Sequence, residues 1–215
     1  VTRVGAITAS TGLHDSITIS WIPSPDAQYV RIETRHDTES DWSTLADNVS
    51  QTYATYGYVD RKSPTGKDIH YRIISVGKNN KTATSDTAIG WRLMKPLRVE
   101  SPSATRGLYF DKIEIRWDSP KQTSKYNKTQ SYSILRSKTN NFRNYSGYKT
   151  IASELTETSY TDTDEELMSG ETYFYRIISH NLVTDNYTTP EYESGLVSSA
   201  SFTGYTGSFN RGIST

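Results

Sequence analysis

One ten-residue pattern occurs twice in this chain, and it limits the folds the chain can adopt. Gly66-Lys-Asp-Ile-His-Tyr-Arg-Ile-Ile-Ser75 reappears as Gly170-Glu-Thr-Tyr-Phe-Tyr-Arg-Ile-Ile-Ser179. An earlier pair runs the same way: Ile17-Thr-Ile-Ser-Trp21 and Ile113-Glu-Ile-Arg-Trp117. In this pair apolar and polar residues alternate strictly and the run ends at Trp. Period two is the mark of a strand with one buried face. A proline turn follows each Trp, with Pro23 and Pro25 in one copy and Pro120 in the other. Two more matches lie between these runs, Val30–Thr34 with Tyr132–Arg136 and Tyr58–Asp60 with Tyr160–Asp162. Ser85-Asp86 and Ser194-Gly195 close the series.

The offset between matched positions grows along the chain, so the second copy has the longer loops. The extra residues fall in turn-like stretches, chiefly Lys121–Ser131, where loop closure tolerates added length. A chain of 215 residues holds two domains of about 100 residues each. The expected units are 1–92 and 97–200, joined by a linker at 93–96 that Pro96 stiffens. Residues 201–215 are rich in Gly, Ser and Thr and read as a flexible tail, in the position of a linker to a further domain. Val1 has no signal peptide before it, which reads as a processed or excised fragment.

No segment keeps a helical period, and the 16 tyrosines favour half-buried pleated surfaces. The expected fold class is all-β: two consecutive seven-stranded immunoglobulin-like β-sandwiches. The formal net charge is zero, against the basic surplus of a nucleic-acid binder. No apolar run is long enough for a membrane-spanning helix. Cysteine is absent, which excludes disulfides, thiol catalysis and Cys-ligated zinc.

These residues resemble the fibronectin type III family. Thr158-Ser-Tyr-Thr-Asp162, Leu167 and Gly170–Ile177 carry the sharper signature, and Trp21 and Trp117 match the Trp that ends the family's second strand. The resemblance implies a tyrosine corner at Tyr173, its hydroxyl bonding to backbone just upstream. In the first copy Ile69 stands where that Tyr belongs. The first module should therefore be the less stable one, or another group should replace the bond. By resemblance, such tandem modules occur in secreted enzymes, envelope lipoproteins, adhesion proteins and receptors.

Candidates for chemistry are few. His14, His36, His70 and His180 show no ligand spacing and read as surface histidines. The acidic run Asp162-Thr-Asp-Glu-Glu166 could offer oxygens to calcium, but as a turn between strands it reads as solvated. No nucleophile elbow or phosphate loop is present. The expectation is no catalytic residue, no metal and no cofactor. Trp42, Tyr145 and Tyr148 are the candidates for binding a partner, since aromatic faces anchor proteins or stack on sugars. Trp91 either packs between the modules or closes the last strand of the first.

The expected function is a non-catalytic spacer and protein-interaction or adhesion segment. Its partners are a protein or neighbouring domains of a longer chain, with carbohydrate binding as the alternative. The chain is expected to be monomeric, without nucleic-acid binding or membrane insertion. Its expected setting is extracytoplasmic, secreted or on the envelope, in a bacterium.

Overall fold

The structure is a computed structural model and describes residues 1–36, 41–51, 57–121, 123–140, 147–181 and 197–207, with 197–201 described by backbone alone. It divides into two compact units, Val1–Met94 and Lys95–Thr215. Each is an immunoglobulin-like β-sandwich, as the alternation expects.

In the first unit the strands are β1 (Ile7–Ala9), β2 (Thr11–Leu13), β3 (Ile17–Trp21), β4 (Tyr29–His36), β5 (Ser43–Val49), β6 (Tyr58–Asp60), β7 (Asp68–Val76), β8 (Thr82–Thr84) and β9 (Ala88–Arg92). One sheet has the order β1-β3-β6, and the other has β2-β9-β7-β4-β5 with β8 on the end of β7. The second unit comprises β10 (Glu100–Ala104), β11 (Ile113–Asp118), β12 (Ser131–Ser137), β13 (Lys149–Leu155), β14 (Ser159–Asp162), β15 (Thr172–His180) and β16 (Val197–Tyr205). Its sheets run β10-β11-β14 and β13-β12-β15-β16.

The two cores match position for position. The first holds Val4, Ile17, Ile19, Trp21, Val30, Ile32, Ile69, Tyr71 and Ile73. The second holds Val99, Ile113, Ile115, Trp117, Tyr132, Ile134, Tyr173, Tyr175 and Ile177 in the same order. Three residues come from each Trp-ending strand and three from each long repeat. Burying one such side chain contributes about 1.5–3 kcal/mol, so nine per unit form the main attractive term.

The last strand corrects two expectations. β16 runs to Tyr205, so Ser201–Tyr205 is strand rather than flexible tail. It pairs with β15 over its whole length, from Thr172 with Tyr205 to His180 with Val197. The match for Ile89-Gly90-Trp91 is therefore Thr203-Gly204-Tyr205, because Gly90 pairs with Ile69 and Gly204 with Tyr173. Gly204 lies in the stretch whose Gly-rich composition reads as a flexible tail, but it marks close approach. A Cβ there would lie 2.7 Å from the Ala104 Cβ and 2.9 Å from the Ile113 Cγ2. At Gly90 it would lie 2.6 Å from the Ile17 Cγ2 and 2.8 Å from the Ser10 carbonyl oxygen. At both places the first and last strands close the edge of the sandwich.

Gly90→Ala and Gly204→Ala should each destabilise their own unit by about 1–3 kcal/mol, the usual penalty for an overpacked core. Urea titrations followed by NMR should show one transition move in each variant while the other stays. Unchanged midpoints would show that the strands separate without cost.

Candidate functional site

The chemistry-bearing residues gather first where β6 or β14 turns into the long repeat. Asp60 and Asp162 end these strands and are buried. The Tyr71 hydroxyl donates to Asp60 Oδ2 at 2.8 Å, and the Tyr175 hydroxyl to Asp162 Oδ2 at 2.7 Å. In each unit the bond crosses from one sheet to the other. Burial, reinforced by the carboxylate, raises both phenols above the ordinary tyrosine range, so both remain donors.

The two carboxylates are satisfied differently. Asp60 accepts the backbone N–H groups of Lys62 and Ser63 at 2.9 and 3.1 Å. Asp162 accepts the N–H of Asp164 at 3.2 Å and two bonds from Arg136, at 3.0 and 2.9 Å. The same guanidinium reaches Asp164 at 3.2 Å and Glu166 at 3.1 Å. Lys149 adds a second cation 3.4 Å from Glu166. Asp162, Asp164 and Glu166 of the acidic run are thus paired with cations of their own unit. No cluster of metal-ligating groups forms among the described residues.

The tyrosine corner is present at Tyr173. Its hydroxyl accepts from the Met168 N–H at 2.8 Å and donates to the Glu166 carbonyl at 3.1 Å. Ile69 creates no deficit in the first unit, because Pro64 stands where Met168 stands in the second, two residues before the matching glycine. Proline has no N–H, so no donor is left unpaired. Arg92 secures that turn instead, donating to the carbonyls of Ser63 at 2.6 Å and His14 at 2.9 Å. The expected loss of stability at Ile69 thus meets a local replacement.

The second gathering lies on the outer faces of the larger sheets. Trp42 is half-buried, with the Arg72 guanidinium 4.3 Å and the Arg35 guanidinium 4.8 Å from its ring centre. Glu33 pairs with Arg72 at 2.6 Å and with Arg31 at 3.2 Å, which holds the arginines in place. Tyr148 takes the matching place in the second unit, 5.0 Å from Arg176. Leu135 and Ile178 form a small buried cluster beside Tyr148. Tyr145 lies outside the described residues. Trp91 pairs within the first unit, opposite Asp68 and Thr11.

His180 departs from the surface reading. It is buried on this outer face, its Nε2 2.8 Å from the Ser133 hydroxyl. Burial pushes its pKa down to about 4 from the ordinary 6.5. A signal was available in the sequence: the outward positions of β12 are Ser131, Ser133, Leu135 and Ser137, whereas those of β4 are Tyr29, Arg31, Glu33 and Arg35. An uncharged outer face is the pattern of a covered sheet.

Comparisons with known proteins give likenesses of fold. No family model matches, and no curated protein matches. Among solved structures, the FN1-FN3 domains of chicken CNTN1 align at 12% identity over 95% of this chain, with TM-score 0.48. The chain spans 65% of that structure, less than two thirds of it. A two-domain fibronectin type III segment of chicken tenascin aligns at 11% identity over 94% of this chain and 99% of its own, with TM-score 0.40. An Fn3-like protein from Clostridium thermocellum aligns at 18% identity over 42% of this chain and 92% of its own, with TM-score 0.37. In kind, the chain resembles tandem fibronectin type III domains.

Asp162→Asn should destabilise the second unit by about 3–5 kcal/mol, because it leaves Arg136 buried without its full counter-charge. Asp60→Asn should cost the first unit less, about 1–3 kcal/mol, since only neutral donors face it. Urea midpoints assigned by NMR measure both, and equal losses would mean that Arg136 is irrelevant.

Acid should act on His180. The unfolded state takes up a proton as pH falls below 6.5, while the native imidazole resists until about 4. Protons therefore favour unfolding in that window, and stability is lost on the order of 3 kcal/mol between pH 6.5 and 4. His180→Gln should remove this component of the acid slope in the second unit. An identical slope in the variant would count against the buried neutral imidazole.

Proposed function

We propose that these two sandwiches form a non-catalytic spacer and protein-interaction segment of an extracytoplasmic protein. One observation carries the reading. Asp60 with Tyr71, and Asp162 with Tyr175 and Arg136, are all buried and bond to one another across the sandwich. An active site needs convergent polar groups aimed at a substrate. Here they are spent holding the strands together, which suits a module that must keep its shape. No helix among the described residues is long and apolar enough to cross a membrane.

The outer sheet faces are where a protein partner would dock. Trp42, set between arginines, and Tyr148 combine the residue types that dominate interface energetics. Tyr145 belongs to the same proposed set. Sugar stacking is the weaker reading, because guanidinium groups already sit over the Trp42 ring.

Single-molecule stretching between the ends of the chain tests the spacer role. Two separate unfolding events are expected, releasing about 30 and 40 nm for units of 94 and 121 residues at roughly 3.5 Å per residue. Smooth extension without events would sink the proposal, as would turnover of a substrate by the pure chain.

A further inference from the structure

Among the described residues, eight of the nine strands that end a sheet order or project beside one carry a device against pairing with other chains. An unpaired edge is a template for a foreign strand, and native sheets blunt it by shortness, charge, proline or bulges. β1, β2, β6 and β8 have three residues each, and β14 has four. β5 carries a register shift and Asn48 at φ 54°. β13 carries register shifts, Glu154 at φ 57° and the charge of Lys149. β10 is broken at Ser101, with φ 49°, and contains Pro102.

β16 has none of these. It is nine residues long, Val-Ser-Ser-Ala-Ser-Phe-Thr-Gly-Tyr, without charge or proline, and its register with β15 is unbroken. Its counterpart in the first unit is interrupted between β8 and β9, where Ser85 bonds through both its N–H and its hydroxyl to Ile73.

The direction of the edge-facing groups follows from Tyr205. Its N–H donates to the Thr105 carbonyl at 3.2 Å and its carbonyl accepts from the Gly107 N–H at 2.8 Å, both on the side away from β15. Backbone groups alternate sides along an antiparallel strand. The N–H and C=O of Val197, Ser199, Ser201 and Thr203 therefore face that same edge. Among the described residues, strand pairing on that edge stops at the bridge between Arg106 and Tyr205.

We propose that this edge pairs with a second copy of the chain. The two β16 strands run antiparallel about a two-fold axis at Ala200. Ser199 then meets the partner's Ser201, and Val197 meets the partner's Thr203. This register engages every outward-facing group above Tyr205 and gives about eight hydrogen bonds between copies. Moving the axis to Ser201 would set Val197 against the partner's Tyr205, whose groups are already used. A second copy brings a strand of equal length and equal lack of charge, and the zero net charge of the chain sets up no long-range repulsion. The inference goes beyond the spacer reading, because it joins two such segments side by side.

Sedimentation velocity of the whole chain from roughly 1 to 200 µM should show a concentration-dependent dimer. Ser201→Pro removes an N–H that faces only the edge, as edge strands tolerate. It should weaken association at least tenfold and leave the NMR spectrum of the second unit folded. The chain has no cysteine, so single cysteines give an independent readout. Ala200→Cys lies opposite its own mate, within reach of a disulfide, and should cross-link under mild oxidation. Ser198→Cys lies about 13 Å from its mate and should not. A monomer throughout that range overturns the proposal. Equal cross-linking at both positions also overturns it. So does a monomer that binds only an unrelated extended peptide. If Ser201→Pro unfolds the unit, the two cysteine variants still decide.

Discussion

A tyrosine hydroxyl bonded to a buried carboxylate holds each half of this molecule together. Tyr71 lies on one sheet and Asp60 on the other, and Tyr175 and Asp162 repeat the arrangement at 2.7 Å. Hydrophobic burial brings two sheets face to face without specifying how one slides on the other. A charge-assisted hydrogen bond does specify it, because its geometry is narrow and its loss leaves a carboxylate in a dry core. The apolar sets of Ile, Trp and Tyr supply most of the free energy, and the strut supplies the registration.

The surroundings of that strut explain how the two units diverge while keeping one core. In the first, two turn amides satisfy Asp60, so the turn stays short and Pro64 is tolerated. In the second, Arg136 reaches across from the other sheet and Asp164 and Glu166 gather around it. Once the guanidinium is buried, the acidic residues become its counter-charges, and the turn must be longer to carry them. Tyr173 then bonds the backbone of that longer turn. The corner tyrosine and the arginine therefore belong to one solution, and Ile69 and Arg92 belong to the other.

Much of the fold was legible in the sequence because period-two alternation and the repeat report directly on inward positions. Ile17, Ile19 and Trp21, with Ile113, Ile115 and Trp117, needed no structure to be placed in a core. Residues whose role depends on a distant element were less legible. Alternation puts Arg136 on the inward side of its strand, but its counter-charge, Asp162, lies 26 positions away and nothing local announces it. His180 looked exposed because one residue says little about what covers a sheet. Gly204 was misread because composition near a terminus suggests a linker, while its cause is the proximity of Ala104 and Ile113. Of the site candidates, only the aromatic type was readable. Alternation puts Arg35 and Arg72 on outward positions but does not say which side chain they meet, so their stacking on Trp42 was not readable.

The same division separates the two outer faces. The first unit spreads Arg31, Glu33, Arg35 and Arg72 over its larger sheet and keeps Trp42 among them, so the face is charged and open to water. The second has Ser133, Leu135 and Ser137 at the places of Arg31, Glu33 and Arg35, keeps Arg176 at the place of Arg72, and gathers Leu135, Ile178 and Tyr148 into a small cluster of its own. With fewer charges on that face, Tyr148 beside Arg176 is the aromatic it offers, and the sheet edge lies next to it. In this unit the edge is β16, whose backbone groups are as regular as those of an interior strand. Two copies of one sandwich thus differ in character, one with charge spread over its larger sheet and the other with fewer charges there and a long, unbroken last strand beside it.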